Sequence, residues 1–295
     1  AMGLRVFRTI RELRQWRTTL KDRVGLVPTM GALHEGHRSL LDAARSECGV
    51  VSVTIFVNPT QFAPHEDLGK YPRTWDADLD VLQKSGVDAV FAPDVAELYP
   101  TTAKAFTVAP PPTFLELPEA KARPGHFAGV ATVCLKLFNL VKPDVAFFGQ
   151  KDALQCAALR AMVRDFDLDL DLRVCPTARD PDGLALSSRN AYLDADARRA
   201  APVVFRALSA ARDHFRRGSS GSAVVLARDL VHIIRGTLGA EPAVDHVDYV
   251  SVADFDTMAD FAGAAEITAD TLALLSVAVR LGGVRLIDNL PLTLE

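Results

Sequence analysis

The sequence predicts an α/β fold, namely a doubly wound, Rossmann-like parallel sheet followed by a smaller C-terminal α+β domain. Three observations support this prediction. Short apolar runs alternate with amphipathic stretches over residues 5–175, the polar, turn-rich segment TARDPDGLALSSRN then interrupts the pattern, and two helical patterns and three β-like runs follow. Alternating strands and helices are typical of a parallel sheet. We therefore expect one domain at 1–177 and, after a hinge, a smaller lid domain at 178–295.

Six strands are predicted in the first domain. They are VGLVPT from Val24, VVSVTIFV from Val50, AVFAP from Ala89, AFTVA from Ala105, VAFFG from Val145 and LDLRVCPT from Leu170. The stretches between them, such as SLLDAARSE and WDADLDVLQKSG, carry apolar residues near helical spacing. In the second domain, helical patterns begin near Asp194 and Ser222, and strands are predicted at VDHVDYVSV, TLALLSVAV and VRLIDN.

Composition and charge narrow the classes of function. The formal net charge of -4 supplies no general basic field, so neither nucleic acid nor an anionic membrane is expected as a partner. No segment approaches the roughly 20 apolar residues that cross a bilayer, and the N-terminal stretch lacks the apolar core of a secretory signal. The four cysteines show no CxxC spacing, which favours buried thiols in a reducing compartment. We expect a cytoplasmic protein.

The first candidate motif is PTMGALHEGH, at the end of the strand predicted from Val24. Ligands of open α/β sheets bind beyond the carboxyl ends of the strands. A helix that begins near Gly36 would present N–H groups and partial positive charge to an anion, and Gly31 lets the backbone approach a ligand closely. His34 and His37 would share one face of that helix start. One alternative is a zinc pair, but HEGH is one residue shorter than HExxH and has no third ligand nearby. The other is a pair of ordinary packing or solvated histidines, which the strand-to-helix context disfavours.

Two further motifs predict contacts with phosphate. FFGQKD places Lys151 after the strand predicted from Val145, on the same rim of the sheet as the histidines, where its ammonium suits phosphate as a point charge. LALSSRN, in the predicted hinge, carries two hydroxyls and a guanidinium, which suit a flexible loop that closes on phosphate oxygens. Either motif alone is equally compatible with an ordinary solvated turn.

Polar residues in two other loops are candidates for substrate binding. VNPTQF ends the long strand predicted from Val50, so Gln61 is placed to offer an amide to a polar substrate. ARPGHFAGV contains Arg123 and His126 ahead of a predicted helix. For both loops, the alternative interpretation is a side chain that only satisfies the local backbone.

Together, these motifs resemble the pantothenate synthetase family of the nucleotidylyltransferase superfamily, which is related to class I aminoacyl-tRNA synthetases. The resemblance runs from about Arg5 to Leu290 and includes LVPTMGALHEGH, IFVNPTQF, YPRT, RPGHFAGV, FFGQKD and GLALSSRN, in that order. HEGH corresponds to the HxGH nucleotide signature of the superfamily. The resemblance implies ligation of pantoate to β-alanine with ATP, through a pantoyl adenylate, with release of AMP and pyrophosphate. It also implies Mg²⁺ and a homodimer.

The resemblance assigns roles to individual residues, with His37, His34 and Lys151 as the catalytic set. The implied ATP-binding residues are Met30, Gly31, Ala32, Leu33, His34, Glu35, Gly36, His37, Gly149, Gln150, Lys151, Asp152, Ala178, Leu186, Ser187, Ser188 and Arg189. The implied residues for pantoate and β-alanine are Gln61, Gln155, Met30, Asn58, Arg123 and His126. No residue is assigned as a metal ligand.

Some positions depart from the family pattern. Gln150, Ala153 and Thr60 replace a frequent Glu, an aromatic residue and a frequent Met, and the run LELPEAKARPGH leaves a metal-supporting role of Glu119 open. The alternatives are a nucleotidylyltransferase acting on a phosphate monoester and a non-catalytic nucleotide-binding protein of the same fold. No extra arginine cluster for a second phosphate is evident, which disfavours the first of them. A fragment that binds tRNA is disfavoured because it would need a basic face.

Overall fold

A computed structural model of the chain describes residues 3–63, 68–100, 105–220 and 224–292. The chain divides into two compact units. The first comprises Ala1–Leu115, Arg123–Gln150 and Ala158–Pro176, and the second comprises Glu116–Ala122, Lys151–Ala157 and Thr177–Glu295. Residues 116–122 and 151–157 therefore pack with the C-terminal part of the chain, although they precede the predicted hinge. The binding and lid roles expected for the two domains stay predictions.

A six-stranded parallel sheet forms the centre of the first unit. Its strands are β1 (Arg5–Phe7), β2 (Val24–Thr29), β3 (Val50–Ile55), β4 (Ala89–Phe91), β5 (Val145–Gly149) and β6 (Asp171–Cys175). Their order across the sheet is β1-β4-β3-β2-β5-β6, and each neighbouring pair is parallel. The chain builds one side of the sheet from β2 and the other from β5, so the topological switch point lies between these two strands.

Eight helices occur in the described residues up to β6. They are α1 (Ile10–Arg17), α2 (Glu35–Glu47), α3 (Trp75–Lys84), α4 (Val95–Leu98), α5 (Pro112–Leu115), α6 (Pro118–Ala122), α7 (His126–Val141) and α8 (Ala153–Asp165). The apolar face of α2, with Leu40, Leu41 and Ala44, packs in one core with Val27 and Val53 of the sheet. Buried on both faces, β2 and β3 are almost continuously apolar, as parallel strands require.

An antiparallel sheet and two long helices form most of the second unit. Its strands are β7 (Val244–Asp254), β8 (Ala273–Leu281) and β9 (Val284–Leu292), in the order β7-β8-β9. Its helices after the hinge are α9 (Ala195–Ala200), α10 (Val203–Ser220) and α11 (Ala227–Gly239). Phe215 of α10 and Ile234 of α11 lie in one apolar core with Val277 of β8. The predicted combination of a parallel α/β sheet and a smaller α+β region is confirmed.

The structure corrects several predicted elements. The strand predicted from Ala105 is wrong, because residues 105–111 form no strand. Instead, the Thr132 hydroxyl accepts a hydrogen bond from the Val108 N–H (2.9 Å) and donates one to the Val108 carbonyl (3.3 Å). The prolines from Pro110 onward also lack the N–H groups that a sheet needs.

The edge strand β1 was not predicted, and the helical pattern near Asp194 is two helices. Pro202 separates them, because proline lacks the backbone N–H that would continue the hydrogen bonds of the first helix. The start predicted near Ser222 lies outside the described residues, and the helix that follows begins at Ala227.

Gly129 lets α7 pack directly on the 3₁₀ turn Pro59–Gln61. A Cβ atom at Gly129 would lie 2.4 Å from the carbonyl oxygen of Thr60 and 2.7 Å from the Cα of Gln61. Neither backbone atom can rotate away, so a larger residue must displace the turn or the helix.

We therefore expect Gly129→Ala to lower the free energy of unfolding by about 1–3 kcal/mol, as overpacking does. Gly236→Ala is the matched control, because Gly236 is an exposed glycine of α11 with no atom within 4 Å of an added Cβ. It should raise stability by roughly 0.5–1 kcal/mol through helix propensity. Urea unfolding of both variants measures the difference, and equal stabilities would contradict the close packing.

Candidate active site

The two signature histidines cap the N-terminus of α2. His34 is the N-cap residue, and its Nδ1 accepts a hydrogen bond from the Gly36 N–H at 3.1 Å. His37, three residues later, uses its own Nδ1 to accept from the His34 N–H at 3.2 Å. The ring centroids lie 4.1 Å apart. Imidazole nitrogens thus occupy the positions that hydroxyl and carboxylate oxygens usually take in a capping box.

This capping determines where each neutral imidazole carries its proton. A ring nitrogen that accepts a hydrogen bond carries no hydrogen, so the proton of His34 and that of His37 both lie on Nε2. The same helix start contributes N–H groups and partial positive charge. The predicted pairing of the histidines at one helix N-terminus is therefore confirmed, and the site is suited to bind an anion.

Asp78 holds the loop that leads to these histidines. Its carboxylate, which is 2% exposed, accepts hydrogen bonds from the Ala32 N–H at 3.0 Å and the Leu33 N–H at 2.8 Å. Gly31 and Ala32 both have positive φ angles, 85° and 52°, so the chain makes a left-handed turn here. Such a turn costs energy for alanine and needs support from its surroundings. Asp78 in α3 provides that support.

A second group of candidate residues surrounds Gln61. The Gln61 side-chain oxygen accepts from Asn58 Nδ2 at 3.1 Å, and Gln61 Nε2 lies 3.2 Å from Met30 Sδ. Asn58 is 1% exposed, and its carboxamide is engaged by protein groups that include the Gly129 carbonyl and the Tyr99 hydroxyl. Burial raises the pKa of Tyr99, which keeps its phenol protonated as a donor. The side chain of Asn58 therefore orients Gln61, and its predicted contact with substrate stays a prediction.

His126 links Arg123 to the same turn. His126 Nδ1 lies 2.8 Å from the Gln61 carbonyl oxygen, and His126 Nε2 lies 2.9 Å from Arg123 Nη1. A carbonyl only accepts and a guanidinium only donates, so the ring proton is on Nδ1 and Nε2 accepts from arginine. Met30, Asn58, Gln61, Arg123 and His126 thus form one connected group in the first unit, which we call the Gln61 cluster.

Lys151 belongs to the second unit, as do Asp152 and Gln155. It lies in the 3₁₀ turn Gln150–Asp152, which follows Gly149 at the end of β5. The Lys151 ammonium is 3.6 Å from Asp152 Oδ1, and its side chain is 20% exposed. The Lys151 carbonyl accepts a hydrogen bond from Asn289 Nδ2 at 2.9 Å. The predicted convergence of Lys151 and the two histidines on one nucleotide stays a prediction.

The serines and arginine of the predicted hinge follow a short hairpin in the second unit. Arg179 and Ala185 form a β-bridge, and the Leu186 N–H donates to the Ala178 carbonyl at 3.0 Å. Ser187 then caps the 3₁₀ turn Ser188–Tyr192, since its Oγ accepts from the Arg189 N–H at 3.3 Å. The segment is thus an ordered hairpin and turn.

Glu119, for which a metal-supporting role is open from the sequence, forms an ion pair within the chain. Its two carboxylate oxygens accept from Arg285 at 2.9 and 2.6 Å, and Arg285 Nε also donates to Asp248 at 2.6 Å. Burial opposes the charge of Arg285, but the hydrogen bonds and charges of both carboxylates outweigh it and raise the pKa of that guanidinium. Glu119 therefore has a cation partner from the chain itself.

Sequence reasoning missed Asp78, although its signal is visible in retrospect. Thr74 and Asp78 are four residues apart at the start of α3, and Thr74 Oγ1 donates to Asp78 Oδ1 at 3.1 Å. The segment also carries Asp76 and Asp80, however, and only the tertiary structure distinguishes the buried carboxylate from its neighbours.

Two features of the first unit indicate which kind of α/β protein this is. A parallel sheet has its switch point between β2 and β5, and a histidine pair caps the helix that follows β2. These are features of α/β proteins that bind a nucleotide at the carboxyl ends of their strands.

Comparison with known proteins identifies the family. The family model described as pantoate-beta-alanine ligase matches residues 5–291. A pantothenate synthetase from Roseiflexus castenholzii is 50% identical over 287 residues, which cover 97% of this chain and 98% of that relative. One from Chloroflexus aurantiacus is 48% identical over 286 residues, 97% of each chain. The chain belongs to the pantoate-beta-alanine ligase family.

Solved structures agree with this assignment. The crystal structure of pantothenate synthetase from Thermus thermophilus matches with a TM-score of 0.87 and 40% identity over 98% of this chain and 99% of that one. A pantoate-beta-alanine ligase from Francisella tularensis, complexed with beta-gamma ATP and beta-alanine, matches with a TM-score of 0.77 and 33% identity over 99% and 98% of the two chains.

Asp78→Asn tests the support of the histidine loop. The substitution places an amide N–H against a backbone N–H, so we expect a loss of about 1–3 kcal/mol in the free energy of unfolding. Asp80→Asn is the matched control on the same helix, because Asp80 is exposed and pairs only with Lys84 in a surface i,i+4 contact among its described interactions. Its effect should be at most about 0.5 kcal/mol. Denaturant unfolding measures both values, and similar losses would refute the role of Asp78.

Proposed function

We propose that this chain joins pantoate to β-alanine with ATP and releases pantothenate, AMP and pyrophosphate. The observation that carries the proposal is the match to the pantoate-beta-alanine ligase family over residues 5–291. The Francisella tularensis relative, solved with beta-gamma ATP and beta-alanine, supports ATP and β-alanine as substrates of this chain. The reaction proceeds in two half-reactions through pantoyl adenylate.

In the first half-reaction, a pantoate carboxylate oxygen attacks the α-phosphorus of ATP, and the bond from that phosphorus to the bridging oxygen of pyrophosphate breaks. A carboxylate is already a nucleophile, so the step depends mainly on positioning and on donors that stabilise the developing negative charge. We assign His37 Nε2–H to the phosphate oxygens, with His34 holding the nucleotide. The capping bonds to Nδ1 support these roles, because they keep the proton on Nε2.

Further groups are proposed to contact the β- and γ-phosphates. Lys151 and Arg189 would supply positive charge, and Ser187 and Ser188 would bind phosphate oxygens through their hydroxyls. Ser187 accepts a hydrogen bond from the Arg189 N–H, and a hydroxyl that accepts can still donate its own proton. The remaining residues of the predicted ATP-binding set keep their assignment as proposals.

The Gln61 cluster is proposed to bind pantoate and β-alanine, together with Gln155. The cluster joins a neutral amide, a thioether and a guanidinium, which suit the hydroxyls, the methyl groups and the carboxylate of pantoate. In the second half-reaction, the amine of β-alanine attacks the carbonyl carbon of pantoyl adenylate. The bond to the phosphate oxygen breaks, AMP leaves with the electron pair, and the amine loses a proton.

Mg²⁺ is proposed as the metal ion that accompanies ATP. Among the described residues, no group of three or more His, Cys, Asp or Glu side chains is arranged to hold a metal ion. Mg²⁺ commonly keeps several waters and binds substrate phosphates. An ion that the nucleotide carries in this way needs no dedicated cage of protein ligands. When bound, it would neutralise charge on phosphate oxygens.

A homodimer and a cytoplasmic location are also proposals. They rest on the family resemblance and on the scattered cysteines. Within the described ranges, no helix combines the length and the apolar character that crossing a membrane requires.

Pantoate-dependent exchange of labelled pyrophosphate into ATP tests the first half-reaction, and β-alanine-dependent release of AMP tests the second. Both activities are expected. Binding of ATP without exchange would instead indicate a non-catalytic nucleotide-binding protein. Transfer of AMP to a phosphate monoester, without any response to pantoate, would indicate a nucleotidylyltransferase.

His37→Ala and Lys151→Ala should each slow pantoyl adenylate formation by roughly 100- to 1000-fold, the usual effect of removing one preorganised donor. Single-turnover rapid-quench measurements give this rate directly. His232→Ala and Lys84→Ala are matched controls, since both side chains are exposed on helix surfaces, and they should adenylate at the wild-type rate. Unchanged rates in the His37 and Lys151 variants would refute the assigned roles.

A further inference from the structure

Two adjacent buried polar residues lie in the middle of β9. Asp288 and Asn289 are each 3% exposed, and they pair with Val277 and Ser276 of β8. A buried carboxylate without a partner is strongly unfavourable, and a buried carboxamide needs hydrogen bonds. Their partners therefore show what this dipeptide does.

Asp288 binds the hairpin that precedes the Ser187–Arg189 segment. Arg179 donates two parallel hydrogen bonds to Asp288, Nη1 to Oδ2 at 2.6 Å and Nη2 to Oδ1 at 2.9 Å. The Arg179 guanidinium also lies 4.1 Å from the ring centroid of Phe205 in α10. Two parallel hydrogen bonds between a planar guanidinium and a carboxylate fix the relative orientation of the two groups as well as their distance. The first strand of the hairpin is thus held rigidly against β9.

The guanidinium also closes the hairpin itself. Arg179 Nη1 donates to the Gly183 carbonyl at 3.1 Å, and the Asn190 side chain donates to the Ala185 carbonyl at 3.0 Å. Gly183 has a φ angle of 94°, and a Cβ at that position would lie 2.4 Å from Phe205 Cδ1. The guanidinium that pairs with Asp288 therefore also holds the turn of the hairpin at Gly183.

Asn289 binds the Lys151 turn. Its Nδ2 donates to the Lys151 carbonyl oxygen at 2.9 Å, across 138 positions of sequence. Arg179 Nη2 additionally donates to the Asn289 carbonyl at 3.3 Å. Two consecutive residues of β9 therefore hold two segments that are remote in sequence, the Lys151 turn and the hairpin.

We propose that Asp288 and Asn289 are positioning residues for the phosphates, which set the Lys151 turn and the Ser187–Arg189 segment at a fixed separation within the second unit. This inference rests on the proposed function, because it takes Lys151, Ser187, Ser188 and Arg189 as phosphate contacts. Neither Asp288 nor Asn289 touches substrate in this proposal. They act through the groups that they hold.

The two half-reactions differ in their need for this positioning. The β- and γ-phosphates leave as pyrophosphate when the adenylate forms, so residues that position their ligands have nothing to position in the second step. Displacing such ligands by about 1 Å can cost about 100-fold in rate. A merely structural role would instead lower the folded fraction and reduce both steps alike.

Asp288→Asn is the first test, because it removes the negative charge of residue 288 and one of the two oxygens that accept hydrogen bonds from Arg179. We expect pantoate-dependent pyrophosphate exchange to fall about 10- to 100-fold per folded molecule. For the second half-reaction, the enzyme-bound adenylate accumulates during a long incubation and is then chased with β-alanine in a rapid-quench instrument. Its reaction with β-alanine should still run at the wild-type rate. Parallel loss in both measurements, or no loss in either, overturns the proposal.

Asn289→Ala is the second test and decides the matter if Asp288→Asn does not fold. It removes the amide donor to Lys151 and leaves the Asp288 carboxylate in place. The same selective loss of exchange is expected, and equal effects on both half-reactions overturn the proposal. Arg179→Lys should show a smaller selective loss, because lysine keeps the charge but lacks the two-point fork.

Asp248→Asn is the matched control. Asp248 is another mostly buried carboxylate of the second unit that accepts from an arginine, Arg285, and that arginine keeps its two bonds to Glu119. Both half-reactions should run at the wild-type rate per folded molecule, and a selective loss of exchange in this variant overturns the proposal. A wild-type protein that shows no pantoate-dependent exchange would refute the proposed function itself, which distinguishes that failure from failure of the positioning roles.

Discussion

The start of α2 depends on imidazole nitrogens that accept backbone hydrogen bonds. Because Nδ1 of His34 and Nδ1 of His37 both accept, the two rings are fixed in one tautomer and lie together at the positive end of the helix. A serine or aspartate would cap the helix equally well but has no ring N–H to donate. One set of hydrogen bonds thus begins the helix and fixes the orientation of both rings.

The rest of the first unit supports this arrangement through buried polar contacts. Asp78 stabilises a left-handed turn at Ala32, and Asn58 orients Gln61. Close packing of Gly129 on the Pro59–Gln61 turn leaves that turn little room to move. Polar groups buried in this way are costly unless each is satisfied, so they specify one arrangement of the loops. Contacts from α3 and α7 therefore order the loops that follow β2 and β3.

The second unit uses a different device. Its antiparallel sheet carries charged residues with little exposure, and two of them meet partners from remote segments. Asp288 pairs with Arg179, and Arg285 of the same strand pairs with Glu119 of α6. Buried ion pairs of this kind contribute little net stability and are better understood as devices that specify geometry. Here they attach the hairpin and the segment before Arg123 to one strand.

The fold class, the positions of β2 and β5 and the histidine pair were predictable from the sequence, because they depend on local apolar runs and on motifs a few residues long. By contrast, the support of the loop by Asp78 rather than by Asp76 or Asp80 depends on long-range packing. The same is true of the hydrogen bonds of Val108 with the Thr132 hydroxyl, which take the place of a strand, and of the hydrogen bond from Asn289 to Lys151. Each of these contacts joins residues at least 24 positions apart, and their geometry depends on packing that no local pattern records.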